Sequence, residues 1–173
     1  MSKLNALISL INSLTKSERK KISSYLDLDK NTTDYAVLYK VIDNKPSANR
    51  QQVRTDFIKL RPSAAFNTAI NYLFDTLLLI LNQLRVNQDS YFSLFTLLMN
   101  AKVLYEKSIY HECFFLLTKI QHEAIRFENF NILFIAQKME LDFLLSLDFP
   151  DITEQELLNK QYKINETLKT IRK

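Results

Sequence analysis

The chain has 173 residues, no glycine, three prolines and one cysteine; 47% of its residues are hydrophobic, 24% are charged, and the net charge is +4. This composition excludes a disordered chain and a disulfide framework. Without glycine, Walker loops, dinucleotide fingerprints and Gly-x-Ser-x-Gly elbows are also excluded, since each needs glycine's backbone freedom.

Periodicity predicts about nine helices and no sheet, with about 75–85% of the chain helical. The first helix covers Ser2–Leu14, with Leu4, Leu7, Ile8, Ile11 and Leu14 on one face. Asn5, Ser9, Asn12 and Ser13 interrupt the apolar run, so it reads as a packed helix and not a signal peptide. Thr15 and Glu18 form a Thr-x-x-Glu capping box for a second helix, which ends near Leu28. Thr32 or Thr33 caps a third, Asp34–Asp43. Pro46 and Ser47 mark the start of a basic helix to Leu60. Pro62 suits the first turn of a long fifth helix to Val86, whose apolar surface is wide enough for burial on two sides.

Asp89 or Ser90 caps a sixth helix to Lys107; the seventh spans Ile109–Glu128 and the eighth Phe130–Leu147. Pro150 breaks the chain, and Thr153 with Glu156 opens a last helix to Arg172. Asn31, Asn44, Asn87 and Asn129 follow helix ends, where a chain without glycine is expected to use asparagine in the left-handed conformation. The run Leu77–Leu81 is too short to span a bilayer. With the single Cys113, this points to a reducing, cytoplasmic setting.

Charge divides the single expected domain, 1–173. Residues 1–61 carry 12 Lys+Arg against 6 Asp+Glu, a net of +6, and residues 62–173 carry 11 against 13, a net of −2. The first stretch reads as a basic helical module and the second as helical hairpins.

The hairpins carry a pattern. Leu97, Ala101 and Leu104 are echoed by Ile132, Ala136 and Met139 at a step of about 35 residues. Small residues (Ala101, Ser108, Cys113) fall where two helices must approach, and larger ones (Leu97, Leu104, Tyr110, Leu117, Ile120) where they interlock. On these residues the stretch Leu94–Phe127 resembles a tetratricopeptide repeat, although Leu97, Asn100 and Leu104 replace the family's tryptophan, leucine and tyrosine. The words Leu10–Leu26, Tyr35–Asp43 and Asn67–Arg85 look similar to bacterial helical-repeat proteins with longer chains. The resemblance implies a stack of antiparallel helix hairpins, an α-solenoid, with the first helix of each hairpin lining a concave groove. It places Phe95, Leu98, Lys102, Tyr105, Phe130, Leu133, Gln137 and Glu140 on that groove. Lys102, Tyr105, Gln137 and Glu140 are polar enough to meet a partner.

Catalytic constellations are lacking. His111 and His122 stand eleven residues apart on one expected helix, about 16 Å along its axis, too far to share a metal. His111, Glu112 and Cys113 are consecutive, so they diverge by about 100° each and make a poor nucleophile–base pair. Glu140 and Asp142 diverge similarly. The expectation is a non-enzymatic scaffold or adaptor for a peptide or partner helix, with no cofactor, metal or membrane. The alternative is a nucleic-acid-binding regulator using Arg19, Lys20, Arg50 and Arg54 in a helix-turn-helix-like N-terminal module. On the last helix, Leu157, Ile164, Leu168 and Ile171 form one stripe on an otherwise polar surface, as a solenoid cap requires.

Overall fold

A computed structural model describes residues 2–27, 33–147 and 152–172. Among these the protein is all-α, with nine helices, no strand and 82% helix. The expected helix ends at Leu28 and Asn31 and the break at Pro150 lie outside the described residues.

The chain forms two compact units, 1–84 and 85–173. The charge boundary at 61/62 falls inside the first unit. That unit holds α1 (Lys3–Ser13), α2 (Lys16–Tyr25), α3 (Asp34–Asp43), α4 (Arg50–Leu60) and α5 (Phe66–Val86), which runs just past the division. Helix α3 packs against both α1 and α4. Six of its ten residues, Ala36–Tyr39 with Val41 and Ile42, are buried, so it is the unit's central helix and not a one-faced one. Leu7, Ile11, Ile22, Phe57, Leu73 and Leu77 close around it. On α5 the buried stripe is Ala69, Ile70, Leu73, Leu77 and Ile80, whereas Leu78 and Leu79 remain exposed. Burial is therefore one-sided there.

The second unit holds α6 (Ser90–Glu106), α7 (Tyr110–Arg126), α8 (Phe130–Leu147) and α9 (Glu154–Ile171). Each packs on the next, and α6 also meets α8. Leu98, Ala101, Cys113, Leu117, Ile120, Ile132 and Ala136 form the core. Small residues let the backbones close: the Cys113 thiol donates to the Ala101 carbonyl at 3.2 Å. On α9 the buried positions are Ile164 and Thr167, and Ile171 is exposed, because Thr167 donates to the Gln137 side chain at 2.9 Å. The inner stripe of the last helix thus leans toward Thr167.

The helix ends correct three sequence readings. Helix α4 starts at Arg50 behind an Asn49–Gln52 capping box, because Pro46–Ala48 forms a turn instead of a first helical turn. Helix α5 starts at Phe66, so Pro62 lies ahead of it. Among the described residues the left-handed ones are Asp27, Ser108 and Glu128, not asparagines. Asn44 is right-handed at φ −74°, and Asn129 instead accepts from the Ile132 N–H at the start of α8. In a three-residue connection the middle residue turns, and the third already serves the next helix.

Candidate functional site

The α6–α8 seam gathers two of the four expected contact residues. Lys102 and Tyr105 lie one turn apart on α6. The Tyr105 ring stacks on Phe143 of α8 at 3.8 Å between centroids and 11° between planes. The Ser146 hydroxyl donates to the Phe143 carbonyl at 3.0 Å, so the Tyr105 hydroxyl, 2.6 Å away, donates to Ser146. The Lys102 ammonium sits 5.7 Å from the Tyr105 ring and 5.4 Å from the Phe143 ring, and 3.6 Å from Glu106. The ammonium therefore lies beside the stacked pair and not over a ring face, and half of its side chain stays exposed.

Gln137 and Glu140 turn elsewhere. Gln137 accepts from Thr167 of α9. Glu140 accepts from Gln121 of α7 at 2.9 Å and pairs with Lys160 of α9 at 2.7 Å. Both carry the packing of α9 onto α8. The repeat spacing puts them level with Lys102 and Tyr105 along their helix, but α9 covers their side.

The sides of α6 and α8 turned away from α7 carry other residues. On α6 these are Met99, Lys102, Val103 and Glu106; on α8 they are Asn131, Lys138, Asp142 and Leu145, all exposed. Met99 is 61% exposed, Val103 53% and Leu145 60%. The salt bridges Lys102–Glu106 and Lys138–Asp142, each between residues four apart, interleave with these apolar side chains. Sequence reasoning passed over Met99, Val103 and Leu145 because α6 and α8 are apolar nearly all round, so their outward residues resemble core.

The basic set also separates. Arg19 is turned inward: its guanidinium donates to the Ile11 carbonyl at 2.7 Å and the Leu14 carbonyl at 3.2 Å, and pairs with Asp43 of α3. It closes the C-terminal end of α1, where unpaired carbonyls attract cations. Lys20, Arg50 and Arg54 are exposed. Arg50 and Arg54 line an open cleft of about 810 Å³ between α1, α4 and α5.

Among the described residues no three His, Cys, Asp or Glu side chains are placed to hold a metal ion. Cys113 is buried, and that burial pushes its thiol above the ordinary range, away from the reactive thiolate. His111 is almost fully exposed beside Glu112 at 3.7 Å. No described helix is long and apolar enough to cross a membrane. Compared with family models, curated proteins and solved structures, the chain gives no match.

Proposed function

We propose that the protein is a non-catalytic interaction module, a scaffold or adaptor, that receives a peptide or partner helix on the α6–α8 face. The observation that supports this reading is the set of exposed apolar side chains Met99, Val103 and Leu145, beside two exposed salt bridges. Apolar area with a polar rim, held on helices fixed by the Tyr105–Phe143 stack, is the chemistry of a partner-binding surface. Of the positions that the tetratricopeptide resemblance assigns to a groove, Lys102 lies at the polar edge of this face, whereas Leu98 and Leu133 are buried in the core. Within this reading Gln137 and Glu140 are supports for α9.

The test is capture of partners by the intact chain, followed by identification and titration of each. Lys102→Glu or Val103→Asp should weaken the captured complex about tenfold or more, while Lys119→Glu on the exposed side of α7 leaves it unchanged. Equal affinity for all variants would remove the α6–α8 face from consideration.

A further inference from the structure

Arg50 and Arg54 are one turn apart, so they share a face of α4. Among the described residues neither makes an ion pair. Like charges at this spacing repel, and a bound dianion would turn that repulsion into attraction. Both arginines line the α1–α4–α5 cleft, and no carboxylate lines it. Among the described residues the one other cation there, Lys3, is already 3.4 Å from Asp75.

Three helices bring their first turns to this cleft: α1 at Ser2–Leu4, α4 at Arg50 and Gln51, α5 at Phe66 and Asn67. None of these first turns holds an acidic residue, and Ser2 makes no side-chain cap. The uncapped start of α1 therefore adds the positive end of one helix dipole to the cleft, whereas the first N–H groups of α4 are taken by Asn49. The rest of the lining is of a different kind. Ile58, Phe66 and Ile70 form an apolar wall, and Asn67 and Asn71 offer amide donors and acceptors. The volume, about 810 Å³, is that of a site for a small organic ligand.

We propose that this cleft binds a nucleotide. Its phosphates lie on Arg50 and Arg54, and its base lies against Ile58 and Phe66 within reach of the asparagine amides. A flat, edge-polar heterocycle joined to a polyanion satisfies the cationic end and the apolar wall together. A bare phosphate satisfies only the first.

Titration calorimetry on the intact chain tests this with ATP, pyrophosphate and a single-stranded oligonucleotide. ATP should bind saturably and more tightly than pyrophosphate. The double variant Arg50→Ala/Arg54→Ala should weaken ATP about tenfold or more with an unchanged circular dichroism spectrum. Lys16→Ala/Lys20→Ala, on exposed cations outside the cleft, should leave ATP binding unchanged. Ile58→Asp should weaken ATP but not pyrophosphate. Absence of saturable ATP binding, or equal loss in both double variants, overturns the proposal. Pyrophosphate binding as tight as ATP and unaffected by Ile58→Asp overturns the base assignment. Arginine-dependent oligonucleotide binding that ATP does not displace overturns the nucleotide in favour of a polynucleotide.

Discussion

Tyr105 lies flat on Phe143, joining α6 directly to α8 across the helix that separates them in the chain. Phe143 is buried, whereas Tyr105 is half-buried and hydrogen-bonded through Ser146. Phe143→Ala should therefore cost about 3–5 kcal/mol, a cavity plus the lost stack. Tyr105→Phe keeps the ring and should cost only about 1 kcal/mol for the hydroxyl. Urea unfolding measures both. Because Tyr105 is also a structural residue, Lys102 is the cleaner probe of partner binding.

Arg19 offers a second contrast. It makes charge-assisted bonds to two carbonyls and pairs with Asp43 in a partly exposed setting. Arg19→Met should destabilise by about 2 kcal/mol, the worth of such bonds when solvent screening is allowed for. Arg19→Lys restores charge without the fork and should recover only part of the loss. Lys20→Ala, on the same helix but exposed, should change stability by less than about 0.5 kcal/mol. If Arg19→Met unfolds like the parent, the clamp does not support the fold.

What was legible in the chain was local. The Thr15–Glu18 and Thr153–Glu156 boxes are contained in four residues each, and both form as read. The Asn49–Gln52 box is equally local, but Pro46 is a stronger cue, and proline opens a turn as readily as a helix. The α6–α8 face was half legible. Periodicity sets a residue's angle on its own helix, but only the docking of α9 decides that Gln137 is covered while Lys102 is open. Arg19 was misread for the same reason. Counting charge treats it as solvent-facing, yet the bend at Leu14 and Thr15 brings it over the carbonyls that end α1.

Acid should loosen α9 first at its start. The Glu156 carboxylate accepts from the Thr153 N–H at 2.9 Å and the Thr153 hydroxyl at 3.0 Å. The backbone bond, then the side-chain one, hold its pKa below the ordinary 4.5. A depressed folded pKa means the cap's contribution is complete above the unfolded value and lost as pH falls through the lower folded one. Asp56 behaves alike, held down chiefly by its hydrogen bond from Lys45. Melting followed by circular dichroism from neutral to acid pH should fall less steeply for Glu156→Gln than for the parent. Identical slopes would mean that this box does not contribute.

Tyr39 is fully buried in the first unit, and its hydroxyl has no hydrogen-bond partner among the described residues. Burial raises its ionisation above the ordinary 10.0, with Arg19 pulling the other way. A raised folded value means stability is intact below 10.0 and declines as alkali ionises the unfolded tyrosine first. Tyr39→Phe removes an unsatisfied group at nearly constant shape, so it should stabilise by about 1 kcal/mol and flatten this alkaline decline. A loss of stability in urea would show the hydroxyl to be bonded.

The two tight connections of the second unit make the sharpest use of a chain without glycine. Ser108 at φ 60° and Glu128 at φ 53° each occupy the left-handed region. The same closing bond follows each: Ile109 N–H to the Leu104 carbonyl at 2.9 Å, and Asn129 N–H to the Ala124 carbonyl at 2.8 Å. These bonds satisfy helix-end carbonyls, and the left-handed residue is their condition. A side chain there costs about 1–2 kcal/mol of local strain, whereas glycine costs none but loses more entropy on folding, about 0.4–1 kcal/mol. Strain outweighs entropy, so Ser108→Gly and Glu128→Gly should each stabilise by about 0.5–1 kcal/mol. Asn44, at φ −74°, has no such strain to release. Asn44→Gly keeps only the entropy term and should destabilise by about 0.5–1 kcal/mol. Urea midpoints that move the same way for all three would refute the assignment of left-handed geometry to Ser108 and Glu128.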